Sequence, residues 1–324
     1  MQKSTDSNVL SWILGGALLL TALVVVTLLV GVNSEADDVT TQTVVNNVSP
    51  TVDSLVLKDN GVTVGSGATL TLVSGGTEVV TVTGTVSDDN GVGTGVGDGD
   101  LDKLSATLSR TGVTCNSGGD VDNNSCYFTD LPGNCSLGAA VDSTTINYTC
   151  NFSVAYYADG TLADGQYNAG DWVAKVDVVD DSAANGTLTQ NYEVGGLLAL
   201  SIPGAINYGT LAREQATEAG NNVDMVITQY GNVAADVEVS GTDMNCDVTG
   251  GITAASQKWS LTDVPAGDVA NTNISGVSTD TNLGIGYRTN DGSPLTKTIY
   301  WNLIMPTVAS GTCTGTNTIT AIAS

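Results

Sequence analysis

The alternation running from Ile146 to Tyr156 constrains this chain more than any other feature. Ile146, Tyr148, Cys150, Phe152, Val154 and Tyr156 fall on one side of an extended chain, and Asn147, Thr149, Asn151 and Ser153 on the other. Side chains of a strand alternate between faces, so the pattern fits a half-buried strand and would scatter its apolar groups around a helix. The device recurs at Val80, Val82 and Val86 against Thr81, Thr83 and Thr85, at Leu104, Ala106 and Leu108, and at Trp172, Ala174, Val176 and Val178. Asn60-Gly61, Asn90-Gly91 and Asn185-Gly186 punctuate these runs, as turns that need positive φ require. Leu200-Ser201-Ile202, Val223 to Thr228, Asp236 to Val239, Ile299 to Met305 and Thr316 to Ile322 extend the strand pattern to the end of the chain. Antiparallel β-sandwiches are the architecture this predicts.

One stretch breaks the rule. Val9 to Val32 carries no charge and is long enough, at about 1.5 Å per residue, to cross a hydrocarbon core of about 30 Å. It exceeds the apolar region of a signal peptide, about 7 to 15 residues, although Ser34-Glu35-Ala36 would pass as a cleavage site. An uncleaved membrane helix is therefore expected. Lys3 precedes it, while Glu35, Asp37 and Asp38 follow, which directs the N-terminus to the cytoplasm and the rest outside the cell. The expected organisation is a cytoplasmic 1–8, a transmembrane helix at 9–32, an extracellular stalk at 33–50 ending in Pro50, and sandwiches at 51–194 and 195–324. Thr40 to Val48 reads either as part of the stalk or as a strand that could be lent to a neighbour.

Charge narrows the function classes. Asp and Glu number 34 against 9 Lys and Arg, for a net charge of −25. Such a surface repels phosphate backbones and argues against nucleic-acid binding, but it attracts cations. Histidine is absent, which removes the usual general base and the commonest transition-metal ligand. Catalysis would have to rest on carboxylates or lysine, and no sequence motif isolates such a group, so a non-enzymatic protein is expected.

The six cysteines are Cys115, Cys126, Cys135, Cys150, Cys246 and Cys313. None stands in a C-x-x-C, and even numbers in each half downstream of an export segment favour disulfides over thiols. The first four allow three connectivities. Cys115 with Cys126 and Cys135 with Cys150 is the preferred one, and Cys246 would join Cys313, tying mid-domain to the final strand.

The candidate cation ligands are Asp88, Asp89 and Asn90 with Asp98, Asp100 and Asp102, where alternate acids among glycines can converge on calcium. The spacing is not that of an EF-hand, and a solvated acidic loop is the plainer alternative. Asp177, Asp180 and Asp181 form a second cluster, read as a strand end. Sequons stand at Asn47, Asn123, Asn134, Asn147, Asn151, Asn185 and Asn273. Many arise by chance in such a composition, but Asn147 and Asn151 share the predicted solvent face of one strand, where glycans would fit.

Pro50-Thr51-Val52, Val82-Thr83-Gly84-Thr85-Val86-Ser87-Asp88 and the stretch Trp172 to Asp180 resemble strand-and-turn phrases of the immunoglobulin-like modules of bacterial and archaeal surface proteins. The resemblance covers 51–194 and departs from the Cys, Trp, Cys order of antibody domains. Ile227 to Val233 is similar to a strand-turn of sandwich domains that cap envelope proteins, with Gln229 where Asn is usual. These resemblances imply an all-β fold of two tandem immunoglobulin-like sandwiches behind one membrane helix. They also imply a surface-layer, appendage or assembly component that contacts the membrane, other envelope proteins or copies of itself. The other expectation is a monomeric adhesin that recognises a glycan or protein through loops at the sandwich tips.

Overall fold

A computed structural model of the chain describes residues 46–93, 99–115, 122–163 and 165–324, and 47–324 form one compact unit. The expected membrane helix at 9–32, the cytoplasmic 1–8 and most of the stalk lie outside the described residues. Among the described residues no helix is long and apolar enough to cross a membrane.

The first lobe is two sheets face to face. One orders Val62–Val64, Val56–Asp59, Thr77–Ser87, Thr145–Ala155 and Cys135–Ala140, with Thr51–Val52 also paired to Thr77–Ser87. The other orders Thr69–Leu70, Asn185–Val194, Trp172–Asp180, Leu101–Arg110 and Cys126–Asp130. Pairing is antiparallel except between Asn185–Val194 and Thr69–Leu70. Alternation decides the inner faces. Val80, Val82 and Val86 pair in register with Phe152, Cys150 and Ile146, and all six are buried. They face Trp172, Ala174, Val176 and Val178, whose sheet partners include Leu104, Ala106 and Leu108. Asn147, Asn151 and Ser153 stay exposed on the outside.

Tyr156 departs from the predicted row. The strand ends at Ala155, and Tyr156 turns away to pack with Ala155, Tyr157, Leu197 and Tyr230. The end of the expected stalk differs too. Pro50 is buried, and a Cβ on Gly186 would lie 2.2 Å from its carbonyl oxygen, so the chain just before the first strand lies against the sandwich. No side chain other than hydrogen leaves room for that approach.

The second lobe repeats the principle with shorter strands. Its larger sheet orders Leu200–Ser201, Val223–Gln229, Thr296–Leu303, Gln257–Ser260 and Thr272–Asn273, and a smaller one orders Thr279–Asp280, Ala235–Gly241 and Asn317–Ala323. Met225, Ile227, Trp259, Ile299 and Trp301 from the first meet Val237 and Val239 from the second in one core. Leu303 packs apart from Trp301, with Ile252 and Ala309 in a satellite cluster. A third small sheet joins Gly251–Ile252, Met244–Cys246 and Cys313–Thr314.

Disulfides join Cys115 to Cys126, Cys135 to Cys150 and Cys246 to Cys313, which uses every cysteine. Cys135 and Cys150 sit opposite each other on paired strands, as do Cys246 and Cys313. The last bridge closes a separation of 67 residues and in the chain-entropy model is worth about 4 kcal/mol. It does not clamp the final strand as expected. Cys313 lies in the small third sheet, and Asn317–Ala323 is held instead by its ladder to Ala235–Gly241.

The lobes meet through a polar joint. Asn232, 1% exposed, donates to Ala158 O at 2.7 Å and Gly195 O at 3.0 Å, and accepts from Leu197 N at 2.6 Å. The Arg288 guanidinium lies 3.8 Å over the Tyr157 ring, and Tyr157 donates its hydroxyl to Asp291 at 2.5 Å. Asn124 donates to Tyr157 O and Arg288 O. Gln229 fills the role expected of Asn at its turn: its Oε1 accepts from Gly231 N and its Nε2 donates to Val233 O.

Candidate metal centre

Strand parity carries two acids inward at one end of the first lobe. Asp88 follows the strand Thr77–Ser87 on the side of Val80, Val82 and Val86, and Asp180 ends Trp172–Asp180 on the side of Trp172 and Val178. Both are buried, at 2% and 1% exposure. Asp100 precedes Leu101–Arg110, where a bulge shifts the register between Val179 and Asp180. One carboxylate oxygen from each of Asp88, Asp100 and Asp180 lies within 4.8 Å of the others.

The backbone ties these ends together. Asp181 N donates to Asp100 O, Asp100 N to Gly91 O, and Gly91 N to Asp88 O. Asp88 Oδ1 accepts from Asn90 N at 2.8 Å, whereas Asp88 Oδ2 and Asp100 Oδ2 are buried with no hydrogen-bond partner. Asp180 is better served, since Oδ1 accepts from Ala184 N and Oδ2 from Asn47 Nδ2, both at 2.8 Å. The electrostatics follow. Burial pushes the Asp88 carboxyl above its ordinary range, and Asp100 and Asp180 add to the shift. Asp100 is raised by burial and then by Asp180 and Asp181. Asp180 is lowered, chiefly by the Asn47 hydrogen bond.

Of the six candidate ligands read from the sequence, Asp88 and Asp100 enter this cluster. Asp89 is exposed, Asp102 makes a solvent-facing ion pair with Lys103 at 3.3 Å, and Asp98 lies outside the described residues. Asn90 contributes its backbone amide to Asp88, and its Oδ1 accepts from Val48 N at 2.7 Å. The third carboxylate comes from the cluster read as a strand end. Parity was the signal that joins them, because Asp88 and Asp180 each continue an apolar row by two residues.

Two further acidic features bear on chemistry. Arg110 Nε donates to buried Asp159 Oδ2 at 2.8 Å, and Trp172 Nε1 donates to the Asp159 carbonyl. Burial nonetheless pushes the Asp159 carboxyl up to about 6, against the lowering effect of Arg110. An open groove beside Val62–Val64 contains Asp59 and Glu78. Glu78 is raised by burial and then by Asp59, while Asp59 Oδ2 accepts from Thr71 N at 3.0 Å. Among the described residues no aromatic ring lines this groove. Asn147 and Asn151 project from the outer face, with Asn147 donating to Ala139 O and Asn151 accepting from Thr81 Oγ1.

No protein-family model and no curated protein matches the chain. Among solved structures, it is similar to the CsuC–CsuE chaperone–tip adhesion subunit pre-assembly complex of archaic chaperone-usher Csu pili of Acinetobacter baumannii. That match has 11% identity over 79% of this chain and 98% of the other, with a TM-score of 0.33. It is also similar to dimeric latent PorU from Porphyromonas gingivalis, at 17% identity over 86% of this chain, with a TM-score of 0.26. The chain spans 20% of the PorU chain.

Proposed function

We propose that the chain is a non-enzymatic structural protein of the cell envelope, anchored through residues 9–32, with its acidic β-sandwiches outside the cell. The observation that carries this reading is the complete pairing of the cysteines into three bridges. Such bridges persist in oxidising compartments and are rare in reducing ones, so with the apolar run they argue for export followed by retention. A sandwich pair braced by bridges and a polar joint suits a subunit that meets other envelope proteins or copies of itself through exposed sheets. The Asp59 and Glu78 groove has a structural use already, since Asp59 closes the loop at Thr71. The test is alkylation and protease shaving of intact cells. An external location leaves the cysteines unreactive without a reductant and lets added protease remove residues beyond 50. Reactive thiols and full protection from protease would overturn the reading. Turnover in a glycan and peptide hydrolase screen, lost in Glu78→Gln, would overturn the non-enzymatic part.

A further inference from the structure

The first lobe delivers three carboxylates to one point and leaves two of their oxygens, Asp88 Oδ2 and Asp100 Oδ2, buried with no donor. Every ion pair among the described residues lies elsewhere, at Lys103 with Asp102, Arg110 with Asp159 and Lys175 with Asp177. A buried carboxylate without a countercharge is strongly disfavoured, and an ion in the gap removes the penalty for all three acids together. We propose that Asp88, Asp100 and Asp180 bind one divalent cation of calcium's size, and that the ion fixes the chain at Asn47 and Val48 against the first lobe.

The chemistry selects the ion. All-oxygen donors without His or Cys suit a hard cation rather than zinc or copper. Oxygens within 4.8 Å of one another can all touch one ion, because opposite ligands of calcium are separated by about twice its contact distance of about 2.4 Å. Magnesium prefers contacts of about 2.1 Å and near-octahedral order, which would require the cluster to contract. Two hydrogen bonds tie the entering chain to the cluster. Asn47 Nδ2 donates to Asp180 Oδ2 at 2.8 Å, and Val48 N donates to the Asn90 side chain, whose own backbone amide holds Asp88. Residues that would hold the ion therefore also hold the segment entering the lobe. Ordering the carboxylates orders their donors. This goes beyond a structural role for the envelope protein, and the binding measurement does not depend on where the chain resides.

The test uses the full-length chain in detergent micelles, freed of metal by chelation and titrated with calcium chloride or magnesium chloride. Calorimetry should give one calcium ion per chain. At a hundredfold excess over Kd, calcium should raise Tm by about 5 °C. Proteinase K cleavage between residues 46 and 50, mapped by mass, should slow at least tenfold. Asp100→Asn should lose all three effects, and Asp102→Asn, altered at an exposed ion pair, should keep them. Asn47→Ala should keep binding but lose the protection. Absence of calcium binding at millimolar concentration, or equal binding by Asp100→Asn, would overturn the site. An equal response to magnesium would overturn the ion assignment. Protection that survives in Asn47→Ala would overturn the coupling to the entering chain.

Discussion

Replacing Asn232 should separate the two lobes energetically, and the choice of replacement should expose the mechanism. The side chain is 1% exposed and makes three hydrogen bonds, two as a donor to Ala158 O and Gly195 O and one as an acceptor from Leu197 N. A net contribution of about 1 kcal/mol per bond puts Asn232→Ala at about 3 kcal/mol of lost stability. Water entering the vacated space would reduce that loss, and stranding the freed backbone groups would increase it. Asn232→Asp keeps the shape and the acceptor for Leu197 N but sets a carboxylate oxygen against two carbonyl oxygens. It should therefore cost more than alanine despite its closer size. Scanning calorimetry should resolve the single transition of the parent into two in either variant, the second lobe melting first because its strands are shorter. Urea midpoints supply the energies. An aspartate variant as stable as the parent, or more stable than the alanine variant, would show that the hydrogen bonds to Ala158 and Gly195 do not hold the joint.

Asp159 has its folded value raised to about 6 from 3.8, so its contribution to stability is complete below about pH 4 and is lost as pH rises through 6. By pH 7 the loss is about 3 kcal/mol. Because Asp88 and Asp100 shift in the same direction, the check is the difference between parent and Asp159→Asn in urea midpoints from pH 4 to 7, where the variant should show the flatter slope. Replacing Cys246 and Cys313 together by alanine should cost about 4 kcal/mol, read as a urea midpoint below the parent's with both proteins kept oxidised, so that the other two bridges stay closed. Gly231→Ala should destabilise by at least about 2 kcal/mol, since its Cβ would stand 1.9 Å from Leu197 O, a backbone atom that cannot rotate away; an unchanged Tm would contradict this.

The strands were legible wherever alternation ran long enough to fix a face. Thr145–Ala155 and Trp172–Asp180 follow their patterns residue by residue because each covers one side of a single core. Tyr156 shows the limit: its parity matched the row, but the ladder had already ended. The acidic cluster was half legible. Asp88 and Asp100 lie close together in sequence, whereas Asp180 reaches Asp100 only through the pairing of Trp172–Asp180 with Leu101–Arg110, and Asp88 only across the two facing sheets. Asn124, Asn232 and Arg288 carry no periodic signal. Their partners are distant backbone carbonyls or aromatic faces, and a polar contact of that kind leaves no rhythm in a sequence.

The bridge between Cys246 and Cys313 changes how the chain would answer a pull on its two ends. With the thiols joined, tension passes across the sulfur atoms and bypasses the 67-residue separation between them. Full extension of that length would otherwise release about 230 Å of slack. A stretched second lobe would lengthen by the remainder only, and reductant would restore the missing travel.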